Sequence, residues 1–125
     1  MNTLNLKANA RPTPYGYSDV EPRDLARERG NLRVVDVREV SEFNDMLGHV
    51  PGAQLVPLAT LAQAAGSWRR DEPVAVVCRS SGRSGRGAAL LAQLGFGQVY
   101  NMAGGMLAWN SLGLPVERGE QPVVQ

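Results

Sequence analysis

The residues that could do chemistry are concentrated in one stretch, VAVVCRSSGRSGR, which runs from Val74 to Arg86. Cys78, the only cysteine of the chain, follows four apolar residues and precedes a series of serines, glycines and arginines. This pattern predicts a buried strand, then a loop, then a helix. Backbone N–H groups converge at such a loop, and the helix N-terminus adds partial positive charge. A thiol at this position is favoured as the thiolate, which is its nucleophilic form.

The arginines and serines after Cys78 are candidates for binding an anion. Arginines at the start of a helix oppose its dipole, which indicates that at least one of them meets a negatively charged group. We assign this role first to Arg83, which lies where the loop should close, while Gly82 permits a tight turn. The serines of the stretch can donate hydrogen bonds to the anion or cap the helix: Ser80, Ser81 and Ser84.

A second polar group, formed by Asp36, Arg38 and Glu39, lies at the end of the predicted strand 32–37. The carboxyl ends of parallel strands meet at one edge of a sheet, so this group is expected near Cys78. The preferred interpretation of Asp36 is an ion pair or a cap. Asp36 and Arg38 are also candidates for supporting the site.

His49 is the only histidine and therefore the only possible partner for a Cys–His hydrolase pair. It lies in the sequence GHVPG, in which Pro51-Gly52 predicts a turn. A structural hydrogen bond is the preferred role for this histidine, and a papain-like mechanism is poorly supported.

Composition excludes several classes of function. The formal net charge of +1 over 125 residues gives no basis for binding nucleic acid or a membrane over the whole surface. A single cysteine excludes an internal disulfide, a cysteine-rich metal site and a CxxC redox pair, and we predict neither metal nor cofactor. No apolar segment is long enough to span a membrane or resembles a signal peptide. The expected location is the cytoplasm, where a free thiol stays reduced.

Strand and helix patterns alternate along the chain, which predicts an α/β fold with a parallel sheet covered by helices on both faces. The predicted strands are 16–20, 32–37, 53–56, 74–77 and 99–102. In such sheets ligands bind outside the carboxyl ends of the strands, which is where Cys78 falls. The expected organisation is an irregular arm over residues 1–14, one domain over 15–116 and a polar tail over 117–125.

A series of short motifs covers most of the chain, from Ser18 to Val116. These are VVDVRE (34–39), EF (42–43), GHVPGA (48–53), CRSSGRS (78–84), LGF (94–96), GGMLAW (104–109) and GLPV (113–116). In this order and spacing the chain resembles the single-domain rhodanese-like sulfurtransferases. The resemblance implies a three-layer rhodanese-like fold with a central parallel sheet of about five strands and helices on both faces.

The resemblance also implies a mechanism. In that family the loop cysteine attacks the outer sulfur of a donor such as thiosulfate, sulfite leaves, and cyanide or a thiol then takes the sulfur from the persulfide. By position Cys78 is the sulfur carrier, the loop backbone 79–83 binds the persulfide, and Arg79 and Arg83 favour an anionic donor. One departure is that Ser81 stands where many relatives have glycine, although the loop length is kept.

Three alternatives stay open. Cysteine-based phosphatases and arsenate reductases also hold a thiolate in an anion cradle that ends in arginine, but their loop is longer than the four residues between Cys78 and Arg83. A non-catalytic module of the same fold often lacks the cysteine, which this chain keeps. A sulfur relay that receives persulfide from a partner protein would carry the same motifs as a free-standing enzyme.

Overall fold

The computed structural model describes residues 5–119 and contains one six-stranded sheet. Its strands are β1 (Arg11–Pro12), β2 (Ser18–Val20), β3 (Arg33–Asp36), β4 (Gln54–Leu55), β5 (Val74–Val77) and β6 (Val99–Met102). Their spatial order is β1-β2-β6-β5-β3-β4, and every pairing is parallel except that of β1 with β2. The prediction of an α/β fold with about five parallel strands is confirmed, and β1 adds a sixth strand.

Helices cover both faces of the sheet. They are α1 (Leu6–Asn9), α2 (Pro22–Glu28), α3 (Val40–Phe43), α4 (Leu61–Ala65), α5 (Gly82–Gln93) and α6 (Gly105–Ser111). Helices α4 and α5 pack together on one face, while α2 packs with α6 on the other. Within residues 5–119 no helix has the length and apolar character needed to cross a membrane.

The side chains of β5 alternate between two cores, because successive residues of a strand point to opposite faces of the sheet. Val74, Val76 and Cys78 belong to the core under α4 and α5. Ala75 and Val77 belong to the core under α2 and α6. All five are buried, as expected for a central strand covered on both faces. The strand therefore delivers Cys78 to the edge of the sheet where α5 begins.

The N-terminal segment differs from the expected irregular arm. Leu6, in α1, is 1% exposed and joins the core under α2 and α6. Arg11 and Pro12 pair with Asp19 and Ser18 and extend the sheet beyond β2. Two short elements with no hydrophobic periodicity give no local signal, so their structure depends on the burial of Leu6 and on the pairing of β1 with β2.

Part of the predicted polar tail also makes a defined contact. Glu117 forms an antiparallel bridge with His49, with hydrogen bonds in both directions between their backbones. The remaining tail from residue 120 onward, like residues 1–4, lies outside the part of the chain that the structure describes.

Candidate active site

The loop between β5 and α5 surrounds the sulfur of Cys78. The backbone N–H of Ser81 donates to Sγ over 3.0 Å, and the backbone N–H groups of Ser80 and Ser84 contribute to lowering the pKa of Cys78. The Ser84 hydroxyl lies 3.2 Å from Sγ in the first turn of α5. The loop thus places hydrogen-bonding groups around the sulfur, and the binding of an anion by this loop stays a prediction.

The surroundings of Cys78 affect its ionisation in opposite directions. Burial raises the pKa of the thiol, because a charge is less stable away from water. Hydrogen bonds from the Ser84 hydroxyl and from the backbone N–H groups of Ser84, Ser81 and Ser80 lower it, and the pKa lies below its ordinary value. The thiolate is the form that attacks an electrophile, so Cys78 is the candidate nucleophile of this site.

Ser81 adopts a backbone conformation that usually requires glycine. Its φ of 106° makes it the single non-glycine residue with positive φ within residues 5–119. This conformation turns the Ser81 N–H toward Sγ, and Gly82 then begins α5. The Ser81-Gly82 order therefore places a side chain at the position where a Cβ is disfavoured. The Ser81 N–H therefore points to Sγ while the backbone of Ser81 is strained.

The N-terminus of α6 holds the same loop from outside. Met106 N–H donates to the carbonyl of Cys78 over 2.8 Å, and Leu107 N–H donates to the carbonyl of Arg79 over 3.0 Å. Gly105 has a φ of +60°, and a Cβ there would lie 2.4 Å from the carbonyl carbon and oxygen of Arg79. This glycine is required because the two backbones touch. Sequence reasoning quoted it as part of a motif and assigned it no role.

Arg83 forms an ion pair with Glu42, which lies on α3. Its two terminal nitrogens donate to the two carboxylate oxygens over 2.7 and 2.8 Å. The hydrogen bond from Arg83 lowers the pKa of Glu42 to about 2, against a smaller opposing effect of burial. The pair joins the start of α5 to α3, and the role of Arg83 toward a bound anion stays a prediction.

Arg79 and Ser80 are exposed at the mouth of the loop. No ion pair within residues 5–119 involves Arg79. Its side chain lines a cleft, and the other residues of that cleft lie on or after the end of β3: Arg38, Glu42, Asp45, Met46 and Leu47. The cleft combines an unpaired guanidinium with apolar surface beside the loop.

Asp36 and Arg38 form a buried ion pair at the end of β3, with 0% and 1% exposure. Arg38 Nε donates to Oδ1 of Asp36 over 2.9 Å, and Nη2 donates to Oδ2 over 2.8 Å. The same Nη2 donates to the carbonyl of Gly48 over 2.7 Å. The pair therefore joins β3 to the turn before His49. Its hydrogen bonds within the described chain do not reach the sulfur of Cys78.

His49 is held in place by contacts with Phe43. Its ring stacks on Phe43 with 3.6 Å between centroids, and its Nδ1 lies 2.9 Å from the carbonyl of Phe43. A Cys–His pair is therefore not formed in the described part of the chain. The same residues 5–119 contain no cluster of three or more His, Cys, Asp or Glu side chains arranged to hold a metal.

Two residues that sequence reasoning missed lie behind the cysteine. The Ser84 hydroxyl donates to Oδ1 of Asn101, and Nδ2 of Asn101 donates to Oδ1 of Asp19 over 2.9 Å. Asn101 is 5% exposed and pairs in register with Asp19 across β6 and β2. Neither residue lies in a recognisable motif, and only the strand register brings them to Ser84.

Comparison with known proteins gives consistent relatives. The model of the Rhodanese-like domain family matches residues 21–112. A sulfurtransferase of Allochromatium vinosum is 35% identical over 86 residues, which are 69% of this chain and 78% of that protein. The thiosulfate sulfurtransferase GlpE of Shewanella oneidensis is 35% identical over 83 residues, covering 66% of this chain and 80% of that protein. The Bacillus subtilis protein YqhL is 42% identical over 77 residues, covering 62% of this chain and 60% of that protein.

Solved structures agree with the sequence relatives. A rhodanese-related protein from Thermoplasma volcanium superposes with a TM-score of 0.72 at 28% identity, covering 79% of this chain and 96% of that one. A rhodanese-like domain protein from Staphylococcus aureus superposes with a TM-score of 0.67 at 27% identity, covering 79% and 97%. The family model also matches well over half of this chain, and the chain therefore belongs to the family of rhodanese-like domains.

Proposed function

We propose that this protein is a sulfurtransferase that carries a sulfane sulfur on Cys78. The observation that carries the proposal is the cradle of N–H groups around Sγ, with Ser81 donating over 3.0 Å. Relatives named as sulfurtransferases, at 35% identity, support sulfur transfer as the general class of activity. The finer proposal is that the donor is thiosulfate or another persulfide and that the acceptor is a thiol or cyanide.

The reaction follows from nucleophilic catalysis in two steps. The Cys78 thiolate attacks the outer sulfur of thiosulfate, a new S–S bond forms, and the old S–S bond breaks with its electron pair leaving on sulfite. The acceptor, as a thiolate or cyanide, then attacks the outer sulfur of the persulfide and regenerates the Cys78 thiolate. Charge is conserved in each step, and no oxidant or reductant is consumed.

The loop can stabilise the persulfide as it forms. The first N–H groups of a helix have no partner within the helix, which makes those of Gly82 and Arg83 available to an outer sulfur on Cys78. Arg79 is exposed beside the loop and unpaired within the described chain, so we assign it the main attraction for a dianionic donor. Arg83 is held by Glu42 and contributes its charge from a fixed position.

The phosphatase or arsenate reductase alternative is not favoured. Only four residues separate Cys78 from Arg83, which leaves a smaller cradle than a tetrahedral oxyanion needs. The Arg83 guanidinium also donates to both oxygens of Glu42. An arginine bound in this way would have to break a bidentate ion pair before it could clamp a phosphate.

Intact-mass spectrometry tests the proposal. After incubation with thiosulfate and removal of excess donor, the protein should gain the mass of one sulfur atom and lose it again on addition of cyanide. Cys78→Ser should gain nothing while keeping the circular-dichroism spectrum of the parent protein. Loading from a small persulfide but not from thiosulfate would correct the donor and keep sulfur transfer. Absence of loading from thiosulfate and from every persulfide donor would refute the proposal.

A further inference from the structure

Hydrogen bonds run in one direction from Cys78 to the surface of the sheet. In the thiol form, Sγ of Cys78 donates to the Ser84 hydroxyl over 3.2 Å. That hydroxyl donates to Oδ1 of Asn101, and Nδ2 of Asn101 donates to Asp19 over 2.9 Å. Cys78, Ser84 and Asn101 are all buried, and Asp19 is half-buried.

The direction of this chain is set by Asp19. A carboxylate accepts hydrogen bonds and donates none, so Asn101 has to present its NH₂ group to Asp19 and its carbonyl oxygen to Ser84. Ser84 has one proton, and Asn101 Oδ1 is its nearest acceptor, ahead of the Ser81 carbonyl at 3.2 Å. In the thiol form Ser84 therefore offers a lone pair to the sulfur, and the Ser84 hydrogen bond that lowers the pKa of Cys78 forms only when the hydroxyl proton turns from Asn101 to Sγ.

Ionisation of Cys78 changes which hydrogen bonds the Ser84 hydroxyl must donate. The thiolate can only accept, and Ser84 can stabilise it only by turning its single proton away from Asn101 and toward Sγ. Oδ1 of Asn101 is then left without a donor in a buried position, which carries a free-energy penalty. The Ser84 hydroxyl therefore cannot stabilise the thiolate and satisfy Asn101 at the same time.

We propose that Asn101, held by Asp19, is a positioning residue that directs the Ser84 proton away from the sulfur and so opposes formation of the Cys78 thiolate. The proton of the thiol passes to water when Cys78 ionises. This inference rests on the proposed function, since it concerns the thiolate that attacks the donor. It adds that the resting cysteine is kept less reactive than its cradle would otherwise make it.

The test is the pH dependence of Cys78 alkylation by iodoacetamide, which is uncharged and reports the thiolate fraction. Asp19→Asn is isosteric and lies in a half-buried position, and it allows the Asn101 amide to reverse and the Ser84 proton to face the sulfur. We expect the apparent pKa of Cys78 to fall and the rate at a pH below it to rise roughly three- to tenfold. An unchanged profile would overturn the proposal.

Two further variants separate the hydrogen-bond effect from the loss of a negative charge. Asn101→Ala removes the competing acceptor without changing charge, and it should also accelerate alkylation. Asp19→Asn in a Ser84→Ala background should have no effect, because the proton that Asn101 redirects is gone. The same acceleration in that background would mean that Asp19 acts by charge alone and would overturn the proposal. If Asn101→Ala does not fold, the Asp19 and Ser84 variants still decide.

The other charged groups around the sulfur stay the same in all these variants. They are Arg79, Arg83 with Glu42, and Asp36 with Arg38. Alkylation needs no sulfur donor, so its outcome is independent of the mass-spectrometric test. If the pH dependence of alkylation does not change in these variants, the proposal that Cys78 carries sulfur is unaffected. If Cys78 does not load with sulfur, the alkylation rates still test the role of Asn101.

Discussion

Replacing Gly105 by alanine should damage the active-site loop from outside. Gly105 has a φ of +60°, and a Cβ on it would lie 2.4 Å from the carbonyl carbon and oxygen of Arg79 and 2.6 Å from the carbonyl oxygen of Cys78. The obstructing atoms are backbone, so no side-chain rotation can relieve the contact. Either α6 or the loop has to move.

The expected loss of stability in Gly105→Ala follows from two effects whose free energies add. A Cβ in the left-handed region costs about 1 kcal/mol. Overpacking against a rigid neighbour costs about 1–3 kcal/mol more. The expected loss is about 3 kcal/mol, which is large beside a total stability of about 5–15 kcal/mol for a domain. Displacing the loop also lengthens the hydrogen bond from Ser81 N–H to Sγ, which destabilises the thiolate form of Cys78. Alkylation of Cys78 at fixed pH should therefore be about tenfold slower.

Gly113→Ala is the matched control. Gly113 also has a positive φ, of +71°, but a Cβ on it would meet no atom within 4 Å. This variant should lose only the backbone contribution of about 1 kcal/mol and keep the parent rate of alkylation. The free energy of unfolding comes from urea denaturation, and the alkylation rate comes from intact mass against time. Equal losses of stability in the two variants, or parent-like alkylation of Gly105→Ala, would refute the argument.

Three further predictions concern the loop and its ion pair. Ser81→Gly should raise the free energy of unfolding by about 1 kcal/mol, because it removes a Cβ at a φ of 106°; urea denaturation measures this. The pKa of Glu42 is about 2 in the folded protein, against a reference value of 4.5. Its pairing with Arg83 therefore stabilises the fold by about 1 kcal/mol above pH 4.5, and this stabilisation is lost as the pH falls toward 2. Urea denaturation over this pH window should show a smaller decline in the free energy of unfolding for Glu42→Gln. Arg79→Ala should raise KM for thiosulfate about fivefold with kcat little changed, because a solvent-exposed charge pair contributes about 1 kcal/mol; steady-state kinetics measures this.

Each of these predictions has a control that isolates its cause. Ser81→Ala keeps the Cβ and should give no gain in stability, and a gain equal to that of glycine would contradict the strain argument. Arg83→Gln should show the same flattened pH dependence as Glu42→Gln, and a steep decline in either variant would contradict the pairing. Arg86→Ala removes an exposed arginine one turn into α5, and a KM as high as that of Arg79→Ala would mean that the effect is non-specific charge.

Much of the fold could be predicted because its signals are local. The run Val74–Val77 is continuously apolar, since both faces of β5 are covered. Glycines, serines and arginines after it predicted the loop and a following helix, which is α5 and begins at Gly82. The antiparallel β1 was missed, since two residues carry no periodicity.

The sequence by itself determined the position of Cys78 at the end of a buried strand and the small residues that let the loop close around its sulfur. Only the tertiary structure decided which side chains face that loop. The partner of Arg83 is Glu42, 41 residues away, and Asp19 reaches Asn101 across 82 residues. Such contacts depend on strand order and register, which no local pattern contains. The sequence therefore predicted the cradle, and the fold set the charges and protons around it.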